Sequence, residues 1–459
     1  MEELQSAVVV VGAGLAGFVA ALTAAEQGIE VLLCEKQDEV GGSTVMSGGS
    51  FCFTGTDLQA AQGIEDSPEL LREDLIQVGQ HRNDLRLVDR YVRDNLAAYH
   101  WLREHGIEFG QVQAASGQSV PRSHPSNPRR VIDLLHAAAR QVPNLTVVTG
   151  VTADRLVQDH ETGRVVAVRA HEGDQEFFLR AERGVVLTSG GFCQNKEMIA
   201  AFAPGKERAL RLGGLGNYGD GLRMAWQLGA GLRDMPYVKG TFGNHPQAQS
   251  GHHTACMAVY KGAIAVNKQG RRFVDESLDY KLLGDACLEQ EDALGFQIFD
   301  EAVMRQSVPG YPMFDFHRRI TEGRLITAPS LEELAGKIGI DPGRLKKTVE
   351  SYNEMVREGL DDPLGRKHLT HRFGSLATLE EPPFYAYPST SAIIATYAGI
   401  TVDEDARVLD IFGDSIPGLY AAGEVMGGFH GAAYMTGTSL GKATVFGRIA
   451  GRGAARAIA

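Results

Sequence analysis

Cysteine is scarce in this 459-residue chain, and the five present, Cys34, Cys52, Cys193, Cys256 and Cys287, form no CxxC or CxxCH pattern. That excludes the common zinc, iron–sulfur and c-type haem frameworks, so no metal site is expected. Unpaired, scattered thiols point to a reduced, cytoplasmic protein. Basic charge is also short: 45 Lys and Arg against 57 Asp and Glu leave a formal net charge of −12, and no polybasic run occurs. Nucleic acid and an anionic membrane surface are therefore not expected as partners. The opening MEELQSA has no basic region and no twin arginine, so it does not read as an export signal. Internal repeats and low-complexity segments are absent. What is present, 43% hydrophobic and 22% charged residues, is an ordinary globular composition in a chain long enough for two lobes. Small molecules are the expected ligands.

Ala7 to Ala25, AVVVVGAGLAGFVAALTAA, is a run without charge and long enough for a membrane span. Its glycines argue otherwise. Gly12, Gly14 and Gly17 divide the run into a β-branched strand, a tight turn and a small-residue helix, and no Lys or Arg flanks it. No membrane span is expected. With VLLCEK following at Val31 to Lys36, the segment reads strand, GxGxxG turn, helix, second strand and terminal acid. Gly12 allows the turn, Gly14 lets backbone approach a pyrophosphate at the helix N-terminus, and Gly17 lets helix pack on strand. Glu35 is placed to accept hydrogen bonds from an adenosine ribose. Gly41, Gly42 and Ser43, with Ser47, Gly48 and Gly49, form a second small-residue cluster able to run beside a long ligand.

A second GxGxxG, at Gly214, Gly216 and Gly219, follows ERALRLG, which is too charged for a buried parallel strand. It reads as coincidental, which leaves no evident site for a nicotinamide cofactor. Further strands are expected at Leu145 to Val151 and Gly184 to Thr188, with helices between Asp57 and Arg140. From about Met235 to Leu379 the texture shifts to short strands, AIAVN and RRFVDE, and a helical arm, SLEELAGKIGIDPGRLKKTVESYNEMVREG. This reads as an inserted second lobe, with small apolar strands returning from Thr396.

These pieces together resemble the fumarate reductase/succinate dehydrogenase flavoprotein superfamily. The markers are VVVVGAGLAG, Glu35, GGSTVMSGG, VVLTSGGF, the GDG at Gly219 to Gly221, GRRFVDES and PGLYAAGEVMGGFHGA. The resemblance implies an α/β fold, a Rossmann-like FAD-binding domain carrying an inserted α+β capping domain. Its expected boundaries are 1–234 and 380–459 for the first and 235–379 for the second. It implies FAD contacts at Gly12, Gly14, Ala16, Gly17, Glu35, Lys36, Gly42, Ser43, Ser47, Gly48 and Gly49. Further contacts are implied at Ala153, Ser189, Gly190, Asp220, Gly423, Glu424, Thr438, Ser439 and Leu440. Glu424 would reach the ribityl chain. The near-phosphate loop TGTSLGK would set a helix N-terminus at the pyrimidine edge of the flavin, where backbone N–H groups and the helix dipole favour negative charge. GGSTVMSGG has no histidine, so the FAD is expected to be non-covalent.

The chemistry departs from fumarate reductase. Tyr280, Tyr434 and Ala395 stand where the resemblance would place an arginine proton donor, a carboxylate-binding arginine and a histidine. The bidentate recognition a dicarboxylate needs is missing. Tyr280 in ESLDY, and Tyr434 with Thr436, are similar to the 3-ketosteroid dehydrogenases. This implies α,β-desaturation of a cyclic ketone, or the reverse ene reduction, with an external electron acceptor or donor. Tyr434 with Thr436 is the expected base and relay, the β-hydride passes to flavin N5, and Tyr280 polarises the carbonyl; the two tyrosines could exchange roles. His245 and His430 are either active-site or structural histidines. One rival reading is an ene reductase for an unsaturated acid, with Arg271 or Arg272 binding the carboxylate. Another is a flavoprotein electron-transfer subunit that needs a partner chain.

Overall fold

The computed structural model describes residues 2–238, 240–249, 254–370 and 373–457. Val8 to Val11 lie in the strand Glu2–Val11 and are all buried, as a parallel strand covered on both faces requires. This strand pairs in parallel with Val31–Cys34 on one side and Gln175–Leu187 on the other. Leu145–Val148 extends the sheet beyond Val31–Cys34, and Ser415–Ala421 extends it beyond Gln175–Leu187, both in parallel. Antiparallel strands complete the eight: Arg407–Leu409 at the edge, and Thr152–Gln158 with Val165–Glu172 as a flap on Gln175–Leu187.

The register sets the site. Val11 lies opposite both Cys34 and Leu187, and Leu187 lies opposite Ala421. Four parallel strands therefore end level, and the chain leaves them at Gly12, Glu35, Thr188 and Ala422. The carboxyl edge of such a sheet is where open α/β folds bind ligands.

Every residue of the helix Leu15–Ala25 is buried. It packs against the last helix, Thr438–Arg456, at Gly447 and Gly451. A Cβ at Gly447 would stand 2.9 Å from the Ala16 carbonyl, and one at Gly451 would strike the Ala20 carbonyl. Glycines four apart share one helix face, so the two backbones approach closely. The N-terminus of the last helix is thereby held beside the glycine turn. Among the described residues no helix is long and apolar enough to cross a membrane.

A second hydrophobic core lies around a six-stranded sheet built on Phe384–Ile393. That strand pairs antiparallel with Thr241–Asn244, Gly295–Phe299 and Ile326–Ala328, and in parallel with Leu210–Arg211; Ile264–Asn267 pairs with Gly295–Phe299. The helices Leu331–Ile338 and Pro342–Glu358 make up the expected arm.

Two expectations need correction. The boundary at residue 379 assigns Phe384–Ile393 to the first lobe, whereas its pairing makes it the centre of the second sheet. Its sequence, FYAYPSTSAI, contains a proline and few branched aliphatics, so it lacks the usual signature of a central strand. RRFVDE is not a strand either. Arg272 makes one isolated bridge to Val266, and its guanidinium is taken by Glu276 and Asp362.

Candidate active site

The three turn glycines differ in what each prevents. Gly12 has φ +106°, and a Cβ there would lie 2.7 Å from the Thr188 carbonyl, so the turn itself requires glycine. A Cβ at Gly17 would strike the Gly12 carbonyl, which is the helix-on-strand contact. Gly14 has an ordinary φ of −82°, and a Cβ there would meet only Thr44 Oγ1 at 3.7 Å and the Gly41 carbonyl at 3.8 Å. Its open side faces a cavity of about 570 Å³.

Glu35 is buried on the cavity wall, its carboxylate accepting from Ala13 N at 2.8 Å and Gln37 N at 3.0 Å. Thr44 Oγ1 accepts from Leu15 N at 3.1 Å, drawing the Gly41–Gly42–Ser43 segment over the glycine turn. Ser43 Oγ accepts from Gly214 N at 3.1 Å and Asn217 Nδ2 at 2.7 Å. Asn217 also donates to Glu424 Oε2 at 3.2 Å, while Glu424 Oε1 accepts from Thr396 N at 2.9 Å. Burial raises the Glu424 pKa, and the Thr396 N–H opposes the rise.

Of the cofactor residues expected from sequence, Gly12, Gly14, Ala16, Glu35, Lys36, Gly42, Ser43, Ser47, Gly48, Ala153, Ser189, Gly190, Asp220, Gly423, Glu424, Ser439 and Leu440 line this cavity. Lys36 and Asp220 do so as an ion pair, at 2.6 Å. Gly17, Gly49 and Thr438 do not line it. Gly49, at φ +71°, packs on Ser126, and Thr438 donates its hydroxyl to the Met435 carbonyl at 2.6 Å.

Tyr280, Tyr434 and Thr436 line the same cavity, with Tyr397, Thr241, Ala255, Met313, Ile394 and Ala395. The Tyr280 and Tyr434 ring centroids are 5.6 Å apart, and Tyr397 stacks on Tyr434 at 4.6 Å with planes 16° apart. The Tyr434 hydroxyl accepts from Gly437 N at 3.1 Å and Ser439 N at 3.4 Å, at the start of the last helix. The expected relay differs in one respect: the Thr436 hydroxyl acts on Tyr280, whose pKa it draws down.

Burial pushes the Tyr434 phenol up to about 12, against the Ser439 N–H, Tyr280 and the Gly437 N–H, which favour ionisation. Tyr280 and Tyr397 are held well above the usual phenol value by burial, with the neighbouring tyrosines adding to it. All three rest as protonated phenols at neutral pH.

His430 is buried behind the cluster, its ring 5.2 Å from that of Tyr434, with Nδ1 3.4 Å from Thr438 Oγ1. Burial lowers its pKa well below the usual value. His245 accepts from Gln247 N at 3.2 Å and packs on Tyr387. Neither histidine is on the cavity wall.

Sequence reasoning missed Asn217, Thr241, Lys281 and Tyr397. The second GxGxxG held a signal for Asn217, since its loop packs on Ser43 and lines the cavity. Tyr397 lies two residues from Ala395 and has φ +55°, rare for a non-glycine residue.

The cavity wall runs from the glycine turn and Glu35 past Ser43 and Glu424 to the tyrosines and Ser439. Ser189 Oγ, on it, is buried with no partner among the described residues. Buried polar atoms are rarely left so, and a long ligand with polar groups along its length would satisfy this one. These residues fit FAD.

Comparison with known proteins agrees. The family described as FAD binding domain matches residues 7–440. The urocanate reductase of Eggerthella lenta is 34% identical over 456 residues, 98% of this chain and 74% of that protein. A flavocytochrome c3 fumarate reductase in its open conformation is similar with a TM-score of 0.80 and 31% identity, over 98% of this chain and 78% of the other. The 3-ketosteroid-delta4-(5alpha)-dehydrogenase from Rhodococcus jostii RHA1, solved with 4-androstene-3,17-dione, is similar with a TM-score of 0.78 and 28% identity, over 98% and 97% of the two chains.

Proposed function

This chain belongs to the FAD binding domain family of flavoprotein oxidoreductases, and from that premise we propose that it interconverts a cyclic ketone and its α,β-unsaturated counterpart. FAD, when bound, supplies the hydride acceptor or donor for a CH–CH or C=C bond. Gly14, Glu35, Ser43, Ser189, Glu424 and Ser439 would hold it.

The observation that carries the reading is the lining of the tyrosine end of the cavity. Tyr280, Tyr397, Tyr434, Thr241 and Thr436 supply hydroxyls there, Ala255, Met313, Ile394 and Ala395 supply apolar surface, and among the described residues no arginine or histidine joins them. Among the described residues, the cations that line the cavity, Lys36 and Arg129, stand beside Asp220 at 2.6 Å and Glu39 at 3.7 Å. Arg271 and Arg272, the candidates for an acid substrate, line a different cavity, and Arg272 is committed to Glu276 and Asp362. A carboxylate would lose its hydration without gaining a guanidinium, whereas a ketone needs only hydrogen-bond donors.

Tyr434 carries the proton at the substrate α-carbon. Two backbone N–H groups fix its oxygen, and their partial positive charge favours the phenolate that forms when the proton is given up. Tyr280 polarises the carbonyl, which acidifies the α-position. In the reducing direction the phenol gives its proton to the α-carbon and is reprotonated from solvent before the next turnover; in the oxidising direction the phenolate takes that proton and releases it to solvent.

The test is anaerobic mixing of FAD-loaded protein with 3-ketosteroids, monocyclic ketones, succinate and fumarate, following the flavin band in its oxidised and reduced forms. Ketones should change the band and the two diacids should not. Turnover of fumarate or succinate with none of any ketone would overturn the proposal.

A further inference from the structure

We propose that Thr241 is a substrate-binding hydrogen-bond donor, held by Lys281 through its oxygen so that its hydroxyl proton is presented to a carbonyl oxygen in the cavity. This rests on the ketone reading above. Lys281 Nζ lies 2.6 Å from Thr241 Oγ1, and an ammonium group can only donate. The threonine oxygen is therefore the acceptor in that bond, and its own hydrogen must go elsewhere. No acceptor for it exists among the described residues, while Thr241 stands on the cavity wall with Tyr280 and Tyr434.

The lysine is built to stay in place. It is 1% exposed, and its ammonium lies 4.7 Å from the Tyr397 ring centroid and 5.8 Å from that of Tyr280. Thr241 is fixed by pairing with Ala392 and by its carbonyl, which accepts from Asn244 Nδ2 at 3.0 Å. A hydroxyl that accepts from a cation is a stronger donor than a free one, because its oxygen is already polarised. Thr241 and Tyr280 thus give a carbonyl oxygen two candidate donors beside Tyr434, which handles the proton.

The experiment measures binding of 4-androstene-3,17-dione and of urocanate to FAD-loaded protein through the flavin spectrum, for wild type, Thr241→Val, Thr241→Ser and Lys281→Met. Valine keeps the shape and removes the donor, so dione affinity should fall about ten- to a hundredfold, with FAD content unchanged. Serine should stay within about threefold of wild type, and Lys281→Met should weaken the dione in the same direction as valine. Equal dione affinity in wild type and Thr241→Val would overturn the donor role and leave the ketone reading intact. Binding of urocanate alone, weakened by valine, would overturn the ketone reading and keep the donor. Wild type that binds neither probe would overturn both.

Discussion

Gly14→Ala and Gly12→Ala, two residues apart, should fail for different reasons. At Gly14 the backbone is in a region open to any residue, and the added methyl meets Thr44 Oγ1 and the Gly41 carbonyl at 3.7 and 3.8 Å, ordinary contact distances. The fold should not feel it, and apoprotein stability should stay within about 0.5 kcal/mol of wild type. The methyl does project toward the cavity, where the pyrophosphate of FAD would lie against the turn, so FAD affinity should fall by about two orders of magnitude or more. At Gly12 the added Cβ sits 2.7 Å from the Thr188 carbonyl and 2.9 Å from Ser189 Cα, with φ at +106°. Left-handed strain of about 1–2 kcal/mol and overpacking of about 1–3 kcal/mol together cost roughly 2–5 kcal/mol in the apoprotein itself. Urea unfolding of the two apoproteins, beside FAD titration by fluorescence quenching, separates these effects. If Gly14→Ala binds FAD within threefold of wild type, or if its apoprotein is as unstable as that of Gly12→Ala, the assignment of the turn to the pyrophosphate is refuted.

Tyr434→Phe keeps the ring that stacks on Tyr397 and removes the hydroxyl, so FAD content should persist while ketone turnover drops by about two to four orders of magnitude in stopped-flow assays. Ketone affinity should be constant below about pH 7 and decline as pH rises through 8: burial pushes Lys281 down to about 8, against Asp279, Glu424 and Asp285, so its charge is lost as pH rises through that value. A binding series from pH 6 to about 9.5 checks this, and Lys281→Met should flatten the profile. NADH and NADPH should not reduce the flavin at a useful rate, because the Gly214–Gly219 loop is spent on the first cavity; rapid bleaching on mixing would count against that.

The first lobe was legible because its signal is local. Four valines, a glycine turn and an acid at the end of the next strand lie within 36 residues, and each has the spacing its role needs. The tyrosines at 280 and 434 could be placed through their positions in longer motifs. What escaped depends on contacts remote along the chain. Lys281 reaches Thr241 across 40 residues, and Asn217 reaches Glu424 across 207. The second GxGxxG shows how a correct rejection can still lose information. Its preceding strand, Leu210–Arg211, is two residues long and lies in the second sheet, so no second nucleotide-binding unit forms there. Its glycines serve close packing instead: a Cβ at Gly214 would stand 2.7 Å from Ser43 N, and one at Gly216 would stand 2.8 Å from Lys36 Cε. The cap boundary failed for a related reason, since Phe384–Ile393 is identified by its partners rather than by its composition.

The helix Leu15–Ala25 is made early and covered late. Its outer face is closed by Gly447 and Gly451 of the last helix, more than 400 residues downstream. At a ribosomal rate of roughly 5–20 residues per second, that interval is about 20–80 s, during which an uncharged, mostly apolar helix and the glycine turn beside it have no lid. The nascent chain is therefore exposed to aggregation until Thr438–Arg456 emerges, and cofactor capture must wait for that helix. Any shortening that removes Thr438–Arg456 should leave a chain held by chaperones, not a weaker enzyme.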